Sequence, residues 1–266
     1  KVSVKDLYLQ ISSMGNEKPD IVEGNDLPDF NPDDEYLQEI KSPIFYAVQK
    51  NINIQTGQPT ILDFDMQRIS QRINIVFNIR TEGNIKREDL AAPIIELSGA
   101  CGRFNIADAC LDTTRLYRMA HQVQPDEFTQ TGEGTYRCVV HFHTLGVIPS
   151  AAKGHLNGPG ILQVALQVST PQLDSSGAPV VDEEGNPVKN SRYIYGAINP
   201  YDELTAAQLI EVRDGKIYLR YSKEDVNIEI TTPLVIKADQ IVPNDTGMGW
   251  QPHDPTNPDD DIIIEI

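Results

Sequence analysis

Two histidines in one predicted strand are the residues of this sequence that come closest to a reactive arrangement. His141 and His143 stand two positions apart, so in a strand both side chains leave the same face, roughly 6.5–7 Å apart along the chain. A metal ion could bridge them if a neighbouring strand supplied a third ligand, but the sequence identifies none. The alternative is an exposed polar strand face that Arg137 continues. We therefore predict no bound metal.

Patterns typical of covalent catalysis or phosphate binding are missing from the sequence. Ser98-Gly99 follows Leu97, so the Gly-x-Ser-x-Gly turn of a serine nucleophile is not formed. The glycines of residues 154–160 lack the Lys-Ser/Thr pair of a phosphate loop. Carboxylates are too abundant in this chain for any one pair to indicate acid–base catalysis. We predict a non-catalytic protein with no catalytic residues and no cofactor.

The charge balance excludes several partner classes. The 266 residues carry 22 Lys and Arg against 39 Asp and Glu, which gives a net charge of −17. Such a chain repels nucleic acid phosphates and anionic membrane surfaces. No apolar run approaches the ~20 residues of a membrane-spanning helix. The first five residues lack the apolar core of a signal peptide, and the sequence does not begin with Met, so we expect a processed or trimmed chain.

Strand-like alternation of apolar and polar residues dominates the sequence. It recurs in six segments, and Gly-containing turn sequences such as Glu82-Gly83-Asn84 and Asp214-Gly215 separate many of the pieces. Helical signals are short and confined to residues 33–41 and 202–209. This pattern predicts an all-β fold, a Greek-key β-sandwich with minor helix. The alternating apolar sets are Ile73/Ile75/Phe77/Ile79, Tyr136/Cys138/Val140/Phe142, Val164/Leu166/Val168, Ile217/Leu219/Tyr221, Val226/Ile228/Ile230 and Ile262/Ile264/Ile266.

A change in composition near residues 65–68 predicts a domain boundary. Residues 1–66 are acidic and poor in apolar side chains, with three or four strand candidates that include 44–48 and 60–64. A unit this small is hard to stabilise alone. Either it packs onto the rest of the chain, or it is the remnant of a larger, incomplete N-terminal β domain. Residues 67–266 then form the sandwich domain, which ends in an acidic Pro-rich arm and a last strand.

Three side chains invite specific hypotheses. A turn through residues 103–105 would allow a disulfide between Cys101 and Cys110, and the alternative is that both remain thiols. Trp250, the single tryptophan, could contact a glycan by stacking on a sugar ring, or it could anchor the C-terminal arm by packing.

Several stretches together resemble the fimbrillin-like surface lipoproteins of Bacteroidales, which include the shaft, anchor and tip subunits of type V pili. The resemblance is best over residues 44–145. The stretches are Met66-Gln67-Arg68-Ile69-Ser70-Gln71-Arg72-Ile73-Asn74-Ile75, Leu97-Ser98-Gly99 and Phe104-Asn105-Ile106-Ala107-Asp108. In that family a basic–apolar segment like Met66–Arg72 opens the second domain.

The resemblance implies transthyretin-like sandwich domains, a lipid anchor on a cysteine upstream of this chain, and a location at the cell outer membrane or extracellular surface. It also implies other fimbrial subunits as partners, together with surface ligands of a host or of other bacteria. Membrane attachment would occur only through that anchor, which is not present in this chain. The short N-terminal part departs from the family pattern.

The last alternating segment has the properties of a strand that could be donated to another subunit. Ile262, Ile264 and Ile266 follow a flexible acidic linker, and pilus subunits polymerise by adding a strand to an open sheet edge. The alternative is that this strand closes its own sandwich. Our leading hypothesis is a fimbrial subunit that assembles by β-strand addition and supports adhesion. The competing hypotheses are a carbohydrate-binding surface lipoprotein and a metal-dependent enzyme that uses the two histidines.

Overall fold

The fold is taken from a computed structural model that describes residues 7–11, 35–83, 85–220, 225–238, 240–245 and 248–253. Within these ranges β-strands predominate, with one short α-helix, α1 (Tyr201–Ala207), and one 3₁₀ turn at Arg87–Asp89. The predicted helix at 202–209 is confirmed. The Ile262, Ile264 and Ile266 segment lies outside the described residues.

The strands are numbered in chain order. They are β1 (Tyr8–Gln10), β2 (Phe45–Tyr46), β3 (Gln67–Arg68), β4 (Gln71–Glu82), β5 (Ile94–Asn105), β6 (Cys110–Gln122), β7 (Phe128–Gly132), β8 (Thr135–Thr144), β9 (Leu162–Pro171), β10 (Lys189–Ile198), β11 (Ile210–Arg213), β12 (Lys216–Leu219), β13 (Asp225–Lys237), β14 (Gln240–Val242) and β15 (Gln251–Pro252).

The strands form two large sheets and one small ladder. The larger sheet has the order β11-β12-β6-β5-β9-β10-β15, and β1 pairs with the C-terminal half of β5. The second sheet has the order β14-β13-β4-β8-β7, and β2 pairs only with β3. Apolar side chains of both large sheets meet in one buried cluster, which includes Ile75 and Phe77 of β4 and Leu97 and Val164 of the opposite sheet. The prediction of an all-β sandwich is confirmed.

Alternation along the strands builds this core. In β4 the residues Ile73, Ile75, Phe77 and Ile79 are buried while their neighbours face outward, because successive side chains of a strand point to opposite faces. The predicted faces of β8, β9 and β13 are confirmed in the same way. Strand β13 contains both Val226–Ile230 and Leu234–Ile236, which the sequence pattern predicts as separate strands. It runs parallel to β4, and the register shifts between Ile230 and Leu234.

Backbone crowding explains the Leu97-Ser98-Gly99 sequence in β5. Gly99 has a φ of +84°, and an added Cβ would lie 2.7 Å from both the Gly160 nitrogen and the Ile148 oxygen. Ser98 Oγ donates to the Gly158 oxygen at 2.6 Å and accepts from the Ile161 nitrogen at 3.0 Å. This position therefore needs glycine, because the loop after β8 passes directly over the irregular part of the strand.

The described parts of residues 1–66 pack onto the sandwich. Residues 35–41 are extended, so the helix predicted at 33–41 is wrong there. The Leu37 nitrogen donates to the Arg118 oxygen at 2.8 Å, and the Ile40 nitrogen donates to the His143 oxygen at 3.3 Å. Through these bonds, residues 37–40 connect β6 of the larger sheet with β8 of the second sheet. They take the place of the hydrogen bonds that a local helix would form. The domain boundary near residue 66 and the transthyretin-like topology stay predictions.

Candidate assembly surface

A hairpin arm extends from the sandwich between β2 and β3. We call residues 45–68 the arm. At its base Phe45 pairs with Arg68, and Tyr46 pairs with Gln67. Residues 47–66 form no strand ladder, but a tight turn reverses the chain at the outer end, where the Gln58 nitrogen donates to the Gln55 oxygen at 3.4 Å. Gly57 supplies the positive φ, +82°, that this tight turn requires.

The arm concentrates the exposed apolar side chains of the molecule. Ile54 is 76% exposed and Ile61 is 84% exposed. Eight of the thirteen large hydrophobic side chains that are exposed in the described residues belong to the arm, so this exposure is not random scatter. They are Phe45, Val48, Ile52, Ile54, Ile61, Leu62, Phe64 and Met66.

Apolar side chains occur in both halves of the arm. Ile52 and Ile54 precede the turn, and Ile61, Leu62 and Phe64 follow it, all of them exposed. The sandwich core therefore buries none of these side chains. The predicted strand at 60–64 forms no ladder with the rest of the structure, because no sheet edge of the described chain lies beside it.

The base of the arm is fixed to the sandwich. The Tyr46 hydroxyl donates to the Ile106 oxygen at 2.7 Å, and its ring meets Phe104 edge-on at 5.3 Å. The Ile69 nitrogen donates to the Ile44 oxygen at 2.8 Å. Both Tyr46 and Ile69 are buried in the smaller core cluster. The exposed outer part is thus presented from a rigid attachment.

The arm carries no net charge within a chain of −17. Its charged residues are Lys50, Asp63, Asp65 and Arg68, two of each sign. Repulsion between this segment and another acidic protein is therefore weak compared with repulsion between the remaining surfaces. An acidic partner therefore meets less electrostatic repulsion at the arm than at the rest of the surface.

Strand β7 is the sheet edge best suited to accept another strand. The second sheet ends at β7 in the described structure, and β7 pairs with β8 only. Its exposed residues Thr129, Gln130 and Thr131 are uncharged and include no proline. By contrast, Glu211 and Arg213 place charges 3.2 Å apart on the edge strand β11, a feature that discourages edge pairing.

Trp250 is a packing anchor, and the glycan contact considered for it is contradicted. Its side chain is 1% exposed. The indole ring packs against Phe77 with centroids 5.1 Å apart, and its Nε1–H donates to the Thr232 oxygen at 3.1 Å. A buried ring has no free face for a sugar, so this residue holds the C-terminal part of the described chain against β4 and β13.

The disulfide between Cys101 and Cys110 is also contradicted. All three cysteines are free and buried. Cys101 lies opposite Leu116, and Cys110 lies opposite Asn105. The two cysteines are therefore separated by about four residues along the hairpin, roughly 13 Å, whereas a disulfide needs Cα atoms about 4.4–6.8 Å apart. The turn lies at residues 106–109 and not at 103–105. Cys101 and Cys110 are therefore not opposite each other in the pairing of β5 with β6.

The two histidines take part in a polar network on the outer face of the second sheet. His141 Nδ1 lies 2.7 Å from Asn74 Oδ1, and His143 Nε2 lies 2.9 Å from Ser70 Oγ. His141 Nε2 faces one oxygen of Glu127 at 3.6 Å, and His121 Nε2 meets the other at 2.9 Å. Burial is the first cause that lowers the pKa of both His141 and His143.

These contacts connect side chains to each other and not to an ion. Burial opposes ionisation of Glu127, but hydrogen bonds from the Gln124 nitrogen and His121 outweigh it and hold its pKa below the usual range. A shallow cavity of about 330 Å³ adjoins His141 and His143 and is also lined by Arg72 and Lys41. Among the described residues, no group of three or more His, Cys, Asp or Glu side chains is arranged to hold a metal.

Sequence reasoning recognised the parts of the arm but not the arm itself. It identified strand candidates at 44–48 and 60–64, and the turn sequence Thr56-Gly57 lies between them. Two strand candidates on either side of a Gly-containing turn were the available signal for this segment. In the part of the chain that is described, no helix is long and apolar enough to cross a membrane.

Comparison with known proteins finds similarity in structure but not in sequence. No protein-family model and no curated protein sequence matches the chain. The fold is similar to a solved structure described as a "putative adhesin from Bacteroides ovatus", with a TM-score of 0.36 and 11% sequence identity over 88% of this chain and 73% of the other.

Proposed function

We propose that this protein is a non-catalytic cell-surface subunit of fimbrial type that assembles with other subunits by β-strand addition. The observation that carries the proposal is the arm: a segment without net charge that projects from a folded sandwich and exposes eight large apolar side chains. A two-stranded unit on its own is marginally stable in water, and beyond its base the arm forms no strand ladder. A partner is therefore expected to complete it.

Pairing between the arm and an open edge supplies a physical mechanism. An edge such as β7 of a neighbouring subunit offers unpaired backbone N–H and C=O groups, and a strand of the arm can satisfy them. The exposed apolar side chains of the arm then cover the partner's surface.

The magnitudes favour a stable contact. Burying one large apolar side chain contributes about 1.5–3 kcal/mol. Four of the eight exposed side chains therefore contribute roughly 6–12 kcal/mol, which is comparable to the cost of about 4–15 kcal/mol for bringing two proteins together. Backbone hydrogen bonds and the remaining side chains add to this.

The resemblance of residues 44–145 to fimbrillin-like proteins supports the location. On this proposal the subunit is located at the outer membrane or extracellular surface, held there by a lipid anchor, with other fimbrial subunits as partners. Adhesion to surface ligands follows from that setting. Strand donation by Ile262, Ile264 and Ile266 remains a second route to assembly.

Assembly assays with two sets of variants test the proposal. The full chain is incubated alone and with subunits of the same fimbrium, and polymer size is followed by sedimentation velocity. Ile54→Lys combined with Ile61→Lys should reduce assembly at least tenfold, whereas Leu173→Lys combined with Val181→Lys, which alters exposed apolar residues elsewhere, should not. Deletion of residues 259–266 measures the second route. The proposal fails if none of these changes alters assembly, or if no assembly occurs.

A further inference from the structure

The outer face of β9 and β10 carries a pair of tyrosines that is not part of the arm. Alternation in β10 turns Ile194 and Ile198 toward the core, so Tyr193 and Tyr195 lie on the opposite, outward face. Both tyrosine side chains are half-buried. We call this surface, with its neighbours on β9, the tyrosine platform.

The two rings are stacked along the strand. Their centroids are 6.3 Å apart, and the ring planes differ by 28°. They pack over Ile94 and Ala165, which are buried. The apolar residues beneath them hold both rings in place on the outer face of the sheet.

Uncharged hydrogen-bonding groups border the rings at one end. Beyond Tyr193, the hydroxyls of Ser169 and Ser191 are 2.7 Å apart and exposed. Gln167 lies directly opposite Tyr193 in the register. At the other end the surface is closed, because Gln163 is buried and bonded to Arg118 and His253.

Charge is balanced at the platform although the chain is strongly acidic. The nearest ion pair on β10, Lys189 with Asp89 at 2.7 Å, pairs one charge of each sign. A neutral face on a molecule of net charge −17 favours an uncharged ligand, because an anion would be repelled by the surroundings and gains no cation here.

We infer that the tyrosine platform binds a neutral saccharide chain. The apolar C–H face of a pyranose ring matches a tyrosine ring, and the hydroxyls of Ser169 and Ser191 with the amide of Gln167 match sugar hydroxyls. The line from Ser191 to Tyr195 spans four residues, roughly 13 Å, so the platform accommodates a short oligosaccharide. This site differs from the buried Trp250 and lies wholly within one subunit.

The inference adds a ligand class to the adhesive role proposed above, and it can fail separately from assembly. Binding is measured on the monomer, in which strand addition plays no part. Loss of assembly by the arm variants should leave saccharide binding unchanged, and loss of binding by platform variants should leave assembly unchanged.

The test is a nuclear magnetic resonance titration of the full chain with neutral gluco-, manno- and xylo-oligosaccharides, and with oligogalacturonate as the anionic comparison. We expect saturable shifts of the Ser169 and Gln167 amide signals with at least one neutral series and weaker shifts with the anionic one. Tyr193→Ala and Tyr195→Ala should each weaken binding about tenfold. Tyr193→Phe should retain it because the ring remains, and Tyr218→Ala, remote from the platform, should have no effect.

Two results would overturn the inference. One is the absence of saturable shifts at the platform with every neutral series. The other is unchanged binding by the folded Tyr193→Ala and Tyr195→Ala variants, with folding checked by circular dichroism. A peptide that shifts the same signals while all the saccharides do not would also exclude a glycan site.

Discussion

Trp250 shows at the scale of one residue how the C-terminal part of the described chain is held. Its ring fills space beside Phe77, and its indole N–H satisfies the carbonyl of Thr232. The sequence allowed two roles for Trp250, a glycan contact and a packing anchor. Its burial identifies it as the anchor. Sequence patterns do not report the burial of a single aromatic residue in a loop, because that depends on distant strands.

Replacement of this anchor should be costly. Trp250→Ala removes a fully buried ring and leaves a cavity, so we expect the free energy of unfolding to fall by about 3–5 kcal/mol. Trp250→Phe keeps an aromatic ring against Phe77 and should lose less. Urea unfolding followed by circular dichroism measures both. A loss under about 1 kcal/mol for the alanine variant would contradict the anchor role.

The histidine network should make stability depend on pH. The pKa of both His141 and His143 is lowered from 6.5, first by burial and then by charges that include Arg72 and Arg68, against Glu127 and Glu39. Between the lowered pKa and 6.5 the unfolded chain binds more protons than the native chain. The free energy of unfolding should therefore fall as the pH falls through this window and should stop changing from this cause below it.

Urea unfolding at a series of pH values from about 7.5 to about 5 checks this expectation. The variant with both His141→Gln and His143→Gln should show a flatter dependence than the natural chain. Arg137→Gln, an exposed change on the same strand, should keep the original slope. An equal slope in the double histidine variant would contradict the assignment.

The three cysteines should react as protected thiols. Burial raises the pKa of Cys101 to about 12, and it also raises the pKa of Cys110 and Cys138. Thiolate is the reactive form, so a disulfide-exchange reagent should titrate few thiols in the native protein and three after unfolding. Peptide mapping that finds Cys101 linked to Cys110 without prior unfolding would refute the strand register between β5 and β6.

At the scale of elements, alternation predicted the half-buried strands well. The faces of β4 and β8 could be read directly, because each buries one side only. The pairing of β4 with β13 could not be read, since parallel partners are distant in sequence. The full length of the 12-residue strand β5 could not be predicted either. Ten of its residues are buried, so no alternating polar face marks it as a strand. The helix prediction failed over residues 35–41 because their hydrogen bonds to β6 join parts of the chain that are far apart in sequence.

The arm is the element whose local pattern and tertiary role differ most. Parts of both halves were predicted as strands, yet neither of the two large sheets includes the arm. Substitution of its outer residues should therefore spare the fold. For Ile54→Lys with Ile61→Lys we expect a change in the free energy of unfolding within about 0.5 kcal/mol, because both side chains are already exposed.

The base of the arm gives the matched comparison. Tyr46→Phe removes the hydroxyl that donates to Ile106, and we expect a loss of about 0.5–1.5 kcal/mol. Urea unfolding measures both variants. If the outer lysine substitutions destabilise the protein as strongly as core substitutions do, the arm is packed in solution and the proposed role is wrong.

At the scale of the whole molecule, the described residues combine a closed core with an uncovered apolar element, the arm. The sandwich buries its apolar strand faces between two sheets, whereas the arm keeps its own exposed. The net charge of −17 keeps separate copies apart, and the neutral arm is the place where contact is least opposed. This distribution suits a subunit that remains soluble alone and joins others through a single projecting segment.

Hydrogen exchange of the backbone amides, compared between monomeric and assembled protein, decides whether the arm is that segment. We predict that amides of residues 47–66 exchange rapidly in the monomer and become protected on assembly, together with those of Thr129–Thr131 on β7. Assembly that leaves the arm amides exchanging as fast as before, with new protection confined to residues 259–266 or to other surfaces, would contradict strand addition by the arm.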